Sequence, residues 1–329
     1  MSKGLSILGL GVDLPPAVDV RALASAAGAD VSRYFSWDVV CRARPADHPS
    51  TFASAALTRA LESSGVEASA LALVIFAGVS RDYVPSWSVA TEVMRLHGVN
   101  DGCVGLDMTI GCLGSLAALE MAHGWLSVRG GGHAAIVMGE RWSHTVDLSN
   151  ANTAAMWAWA DGGSAIVVGV GSTRPAMCEF LGAEFTSQSE SNGHVLIPYG
   201  GTREPLAPPG VDPFARRVSD RNRRDVKASY DRGYQQAYRA LTERLGITGS
   251  RLVCNQITPP TVQMISSGLG FEMDRVVITG DRTGHLGPSD AVMGLQQLHD
   301  DGLIDGPIVI AASTAYAFGT GLVVPPSDR

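Results

Sequence analysis

The fold is decided by the stretch Asp107-Met108-Thr109-Ile110-Gly111-Cys112-Leu113-Gly114-Ser115, in which an apolar strand ends and an alanine-rich helix begins. The first amides of a helix lack intrahelical acceptors and carry a partial positive charge, so they stabilise an anion just before the helix. A thiol in that position is favoured as the nucleophilic thiolate. We therefore predict that Cys112 is a catalytic nucleophile and that nearby amides bind an oxyanion.

The second half of the chain repeats this pattern as Gly284-His285-Leu286-Gly287-Pro288-Ser289, with a histidine where the cysteine stood. Both copies consist of a turn, an apolar strand, Gly-x-Leu-Gly and a helix, which indicates an internal duplication. If two similar α/β halves pack about a pseudo-twofold axis, equivalent strand-to-helix junctions face each other. We expect Cys112 and His285 to converge there.

The pattern along the chain predicts three regions. Short apolar runs suited to buried strands alternate with helices in residues 1–170, which form the N-terminal half carrying the nucleophile. Residues 171–225 are richer in Pro, Gly and Arg and are interpreted as a connecting or capping region. The alternation resumes in residues 226–329, the C-terminal half.

Composition narrows the class of protein. The 329 residues, 45% of them hydrophobic, are enough for one large core made of two fused halves. The N-terminus lacks a signal-peptide plan and no apolar run approaches the roughly 18 residues of a membrane span, so we expect a cytoplasmic protein without membrane contact. A net charge of −7 argues against nucleic-acid binding. The five cysteines lack disulfide or zinc-site spacing, and we predict no metal.

Four segments resemble the β-ketoacyl-acyl-carrier-protein synthase III (KAS III) branch of the thiolase superfamily: 107–122, Trp159–Ala165, Asp281–His285 and Phe318–Val323. The resemblance covers nearly the whole chain. It implies an α/β, thiolase-like fold of five layers, αβαβα, in a homodimer. It also implies that the cysteine accepts an acyl group from a coenzyme A (CoA) thioester or an acyl-phosphopantetheine thioester on acyl carrier protein, with no permanently bound cofactor.

The chain departs from the family at two positions of the implied catalytic triad. The family's His-Gln-Ala-Asn stretch matches Asn255-Gln256-Ile257-Thr258, while His285 occupies the family's asparagine position. The two residue types are exchanged, and the predicted catalytic set is Cys112, Asn255 and His285. An imidazole can act as a base near neutral pH, whereas an amide only forms hydrogen bonds.

The resemblance also indicates residues that bind substrate. The family's glycine-rich turn, which lends an oxyanion amide, corresponds to Ser313–Ala317, and Thr314 and Ala315 are the expected oxyanion or substrate-binding residues. Trp37 and Arg42 occupy the region where the family holds CoA. Val84 lies in a loop that relatives lend across the dimer to close the acyl chamber, and its size predicts room for a larger acyl group.

A basic stretch in this acidic chain is a candidate docking patch for an acidic carrier protein or for the phosphates of CoA, since arginine suits phosphate. The alternative is an ordinary solvated helix face. The residues concerned are Arg216, Arg217, Arg221, Arg223 and Arg224.

Three functions follow as hypotheses. The favoured one is an acyltransferase that loads an acyl group on Cys112 and passes it to a hydroxyl or amine of a small molecule in specialised, polyketide-type biosynthesis. A second is a decarboxylative β-ketoacyl synthase that condenses acyl and malonyl thioesters. The third is a non-catalytic partner subunit of a ketosynthase-like dimer.

Overall fold

A computed structural model describes residues 4–32, 34–84, 86–214, 216–219 and 223–327, with the backbone alone at 151, 152 and 223–225. The strands are β1 Leu5–Asp13, β2 Ala17–Asp19, β3 Val39–Cys41, β4 Leu71–Phe76, β5 Val104–Asp107, β6 Gly132–Arg141, β7 Asp161–Val170, β8 Cys178–Ser187, β9 Val195–Leu196, β10 Arg217–Val218, β11 Arg251–Cys254, β12 Val276–Val277, β13 Ile308–Ser313 and β14 Ala317–Val324. The helices are α1 Val20–Ala26, α2 Pro49–Ser64, α3 Val89–His97, α4 Gly114–Val128, α5 Arg223–Leu245, α6 Pro259–Leu269, α7 Gly280–Thr283 and α8 Asp290–Asp300.

The strand order shows the duplication directly. Ten strands hydrogen bond in the order β12-β11-β13-β14-β8-β1-β7-β6-β4-β5, so each half contributes five strands. In each half two strands flank a third in parallel, and the two strands nearest the centre are antiparallel. The halves meet where the first residues of β1 pair with β8. The predicted α/β fold of two duplicated halves is confirmed.

The helices form three layers around the two half-sheets. Helices α4 and α8 contact strands of both halves and each other, and they form the central layer. Helix α2, with α3 beside it, covers the outer face of the first half, while α5 and α6 cover the second. Three clusters of buried apolar side chains fill the spaces between these layers. The central layer matters for function because α4 and α8 each follow one of the two junctions.

The stretch 171–225, predicted to connect the halves, contains a full strand of the sheet. β8 lies in this range and is the strand through which the second half joins the first. Its residues alternate between buried and partly exposed positions, so they lack the continuous apolar run expected of a buried strand. The rest of the range includes the small hairpin β9–β10. Among the described residues, no helix is both long and apolar enough to cross a membrane.

Helix α2 lies unusually close to the sheet because glycines face it. Pro49 occupies its first turn, where a missing N–H costs nothing, and Gly65 ends it in a left-handed conformation. A β-carbon added at Gly139 of β6 would lie 2.0 Å from the carbonyl oxygen of Pro49, and one added at Gly11 of β1 would lie 2.1 Å from that of Ala56. These contacts leave no room for any side chain.

We predict that Gly139→Ala lowers the free energy of unfolding by about 1–3 kcal/mol, because α2 must move away from the sheet. Gly102→Ala is the matched control, since nothing lies within 4 Å of a β-carbon there. Urea denaturation of both variants measures the difference. Equal midpoints for Gly139→Ala and the parent would show that the helix does not rest on this glycine.

Candidate active site

Cys112 lies at the junction between β5 and α4. It occupies a single 3-10 turn, Gly111–Leu113, that runs directly into the helix at Gly114. Gly111 has a φ of 59°, the left-handed region that glycine tolerates best, and a β-carbon there would lie 2.5 Å from the γ-methyl carbon of Thr314. The turn therefore presses against the loop after β13 and leaves the thiol partly exposed.

His285 meets Cys112 from the second half of the chain. Its Nε2 lies 3.4 Å from the Sγ of Cys112, so the expected convergence of the two duplicated junctions is observed. On the other side of the ring, Nδ1 lies 2.6 Å from Oδ2 of Asp290, the first residue of α8. The side chains of His285 and Asp290 are almost completely buried. The arrangement has the order nucleophile, imidazole, carboxylate.

Asp290 is held by main-chain donors as well as by the imidazole. The amide of Gln256 donates to its Oδ2 at 2.7 Å, and the amide of Leu286 donates to Oδ1 at 2.8 Å. Its place in the first turn of α8 adds the favourable field of the helix N-terminus. Sequence reasoning missed this residue. The available signal was an acidic residue in the first turn of the helix that follows the candidate histidine.

The surroundings of His285 raise its pKa to about 10. Burial alone lowers it, but the charges of Asp290 and Cys112, and the hydrogen bonds to both, outweigh that effect. The imidazole is therefore protonated at neutral pH while the Cys112 charge is present. Removing that charge removes one of the causes that keep the proton on the ring.

Main-chain contacts fix the position of His285. Its amide donates to the carbonyl of Ala158 and its carbonyl accepts from the amide of Ala160, both at 2.8 Å. The ring of Trp159 lies edge-on to the imidazole, with centroids 5.7 Å apart. The main-chain pairing of His285 with the segment around Trp159 thus holds the imidazole next to the thiol of Cys112.

Two residues expected to hold CoA instead support this region. The guanidinium of Arg42 donates to the carbonyl oxygens of Trp159 at 2.5 Å and Trp157 at 2.8 Å. Trp37 is buried, and its indole N–H donates to the carbonyl of Gln256 at 2.6 Å. Neither side chain lines the cavity described below. Both instead donate hydrogen bonds to main-chain carbonyls inside the protein. A role for either residue in binding CoA stays a prediction.

Asn255 is close to the site but does not face it. Its Oδ1 accepts from the amide of Ser313 at 2.7 Å and its Nδ2 donates to the carbonyl of Gly287 at 3.3 Å. The side chain is buried and is absent from the cavity wall. Both ends of the amide therefore tie together two segments of backbone, and a catalytic role for Asn255 stays a prediction.

The loop after β13 forms the wall opposite His285. Thr314 and Ala315 both line the cavity, as expected for residues near the oxyanion. The hydroxyl of Thr314 accepts from the amides of Tyr316 and Ala317, and its own amide donates to the carbonyl of Ala317 at 2.7 Å. These bonds fold the turn without the glycines of the family pattern.

The thiol and the imidazole open into a cavity of about 950 Å³. Its far wall comes from the stretch predicted as a capping region, including residues of the β9–β10 hairpin and Phe214. Val84 lines the cavity from the other side and is 70% exposed. A volume of this size is typical of a site for a small molecule.

The predicted basic patch is divided. Arg216 turns inward and lines the cavity, whereas Arg217 is exposed on β10. Arg223 and Arg224 begin α5, and the structure describes only their backbone. Arg221 lies outside the described residues. Docking of a carrier protein or of CoA phosphates at this patch stays a prediction. Arg216 does not lie on the outer surface expected for such a patch, because it lines the cavity. The described residues contain no group of three metal-ligating side chains.

Known proteins resemble the chain in sequence and in fold. Residues 106–189 match the family model of 3-oxoacyl-[acyl-carrier-protein (ACP)] synthase III. A β-ketoacyl-[acyl-carrier-protein] synthase III from Sodalis glossinidius is 24% identical over 85% of this chain and 86% of its own length. One from Escherichia coli is 25% identical over the same shares.

Two crystal structures have nearly the same fold. Cerulenin-bound OleA of Xanthomonas campestris has a TM-score of 0.84 at 19% identity, covering 98% of this chain and 97% of that one. The 3-oxoacyl-(acyl carrier protein) synthase III, FabH, of Xanthomonas oryzae pv. oryzae has a TM-score of 0.84 at 20% identity, with 98% of both chains covered. Together with the family match, these findings confirm that the chain resembles the KAS III branch of the thiolase superfamily.

Proposed function

We propose that this KAS III-like enzyme is an acyltransferase that loads an acyl group on Cys112 and passes it to a hydroxyl or amine. The donor is a thioester of CoA or of acyl carrier protein. The acceptor is a small molecule, as in specialised, polyketide-type biosynthesis. The observation that carries the proposal is the Cys112, His285, Asp290 arrangement, with Asn255 turned away from it.

Loading begins when the thiolate of Cys112 attacks the thioester carbonyl. A new carbon–sulfur bond forms, the donor's carbon–sulfur bond breaks, and the thiolate of the donor takes a proton from the imidazolium of His285. The turns that contain Cys112 and Ala315 both line the cavity, and we assign the oxyanion to amides of these turns, a contribution of about 100- to 1000-fold in rate per donor. The products are acyl-Cys112 and a free thiol.

Transfer follows from the change of charge at Cys112. In the acyl-enzyme the sulfur is neutral, so its charge no longer raises the pKa of His285. The ring then loses its proton more easily and can act as a base. It takes the proton of the hydroxyl or amine that attacks the acyl carbon, and Asp290 stabilises the imidazolium that forms. The acyl–sulfur bond breaks, and the thiolate and imidazolium return.

Decarboxylative condensation needs a different set of groups. In the family, two neutral donors stabilise the enolate left when malonyl thioester loses carbon dioxide. Here the side-chain amide of Asn255 donates to the carbonyl of Gly287 and accepts from the amide of Ser313. The carboxylate of Asp290 beside His285 favours an imidazole that takes up and releases a proton over one that stays a neutral donor. These contacts favour transfer to a heteroatom over carbon–carbon bond formation.

A homodimer is part of the proposal. The edge strand β5 leaves Val104 and Leu106 about two-fifths exposed, and Tyr83 is exposed in the loop that contains Val84. An unpaired apolar edge strand is a ready template for pairing with another chain. A twofold pairing at β5 would bring the Val84 loop of each subunit beside its partner, as the resemblance implies.

The cytoplasm is the compartment that we propose for the enzyme.

We predict that a panel of acyl-CoA thioesters gives an acyl adduct on Cys112 by intact-protein mass spectrometry, and that Cys112→Ala gives none. Adding malonyl-CoA to the acylated enzyme is expected to release no carbon dioxide and no β-ketoacyl product. Adding small alcohols and amines is expected to discharge the adduct as ester or amide. Carbon dioxide with a β-ketoacyl product would instead establish the condensing activity, and no adduct with any donor would favour the non-catalytic partner subunit.

We predict that Asp290→Asn slows alkylation of Cys112 by iodoacetamide at pH 7 by about 10- to 100-fold, the worth of one hydrogen bond to a charged group. Without the carboxylate the pKa of His285 falls, so the imidazolium that stabilises the thiolate is lost at a lower pH. Asp301→Asn, at the exposed end of α8, is the matched control. An unchanged rate–pH profile in folded Asp290→Asn would contradict the role of this carboxylate.

A further inference from the structure

Arg216 is a partly buried cation in the wall of the active-site cavity. Its guanidinium lies across two tryptophan rings, 4.6 Å from the centroid of Trp142 and 4.3 Å from that of Trp159. Its one hydrogen bond in the described part of the chain goes to the hydroxyl of Thr145, at 2.6 Å. Burial lowers its pKa to about 10, even though the charges of Cys112 and Glu140 act in the opposite direction.

No carboxylate pairs with this arginine among the described residues. The ion pairs there do not include Arg216, and Glu140 gives both carboxylate oxygens to the amides and hydroxyl of the Val79–Ser80 turn. A guanidinium that is largely withdrawn from water is costly without a compensating charge. Among the described residues, the guanidinium is therefore open to a carboxylate supplied by a bound molecule.

Arg216 and its two tryptophan neighbours present a cluster of N–H donors. The Nε of Arg216 and the indole nitrogens of Trp142 and Trp159 are buried N–H groups without an acceptor in the described structure. Neither a guanidinium nor an indole N–H can accept a hydrogen bond. Those three nitrogens have almost no exposed surface, so an anion in the cavity meets the terminal nitrogens of the guanidinium, through which arginine binds a carboxylate by two parallel bonds.

The position of the cluster decides which anion it fits. The ring of Trp159 lies next to both the imidazole of His285, with centroids 5.7 Å apart, and the guanidinium of Arg216. The charge of Cys112 acts on Arg216. The cluster thus lies one aromatic ring from the reacting atoms. In CoA or a carrier protein, the whole pantetheine arm separates the phosphate from the thioester sulfur. A carboxylate on the acyl group is only a few bonds from the carbonyl carbon.

We propose that Arg216 binds a carboxylate at the far end of the acyl group, so that the enzyme loads the monothioester of a dicarboxylic acid. This inference rests on the proposed acyltransferase function and names its donor class. The carboxylate replaces the missing ion-pair partner, while the new carbon–sulfur bond forms at Cys112 and the donor leaves as the thiol. The two neighbouring aromatic rings keep water from part of the guanidinium and so strengthen the ion pair.

The test compares loading of Cys112 from malonyl-CoA and succinyl-CoA with loading from butyryl-CoA, each followed by intact-protein mass spectrometry over time. The parent enzyme is expected to load the two anionic donors faster. In Arg216→Met, which keeps an apolar stem of similar length, the ratio of succinyl to butyryl loading rates is expected to fall by about 10- to 100-fold. Arg203→Met, an exposed arginine of the same capping stretch, is the matched control and keeps the parent ratio.

Further outcomes separate this inference from the proposed function. Faster loading of butyryl than of succinyl by the parent, or an equal loss of both rates in Arg216→Met, overturns the carboxylate site and leaves acyl transfer intact. If Arg216→Met does not fold, Arg216→Lys retains the charge without the fork and is expected to give an intermediate ratio. An adduct from no donor at all overturns the proposed function instead, because the selectivity assay reports loading alone.

Discussion

The buried contact between His285 and Asp290 is the interaction on which the rest of the site depends. An imidazolium with almost no exposure is stable only beside a negative charge, and Asp290 supplies it at 2.6 Å. The same carboxylate is fixed by two backbone amides at the start of α8. The helix, the turn before it and the strand segment at Trp159 therefore act together to aim one ring nitrogen at Cys112.

The duplicated fold explains how residues 173 positions apart in sequence come into contact. Each half ends a strand at a turn and starts a central-layer helix there, and the two helices pack against each other between the half-sheets. Evolution of one ancestral junction into a nucleophile and of the other into a base requires no new architecture. The acyl transfer that we propose depends on the exchange of residue types relative to the family. Asn255 becomes a brace between Ser313 and Gly287, and a carboxylate takes over the position behind the base.

The repeat of Gly-x-Leu-Gly and the family resemblance allowed the fold, the convergence of Cys112 with His285, and the placement of Thr314, Ala315 and Val84 at the cavity to be predicted. Other features depended on contacts that leave no local pattern. β8 was missed because its alternating burial and Gly182 break the apolar run expected of a central strand. Trp37 and Arg42 were assigned to CoA by analogy, but both satisfy main-chain carbonyls inside the protein. Arg216 looked like part of a solvated basic face, and only the two tryptophans across the fold turn it inward.

The protonation state of His285 is the central claim, and NMR of ¹⁵N-labelled imidazole measures it directly. Comparison with His285→Asn assigns the resonance among the eight histidines of the chain. In the free enzyme the ring is expected to stay protonated at neutral pH and to titrate near pH 10, and after S-acylation of Cys112 to titrate at a lower pH. A ring that titrates near its ordinary value of about 6.5, whether or not Cys112 is acylated, would contradict the coupled site described above.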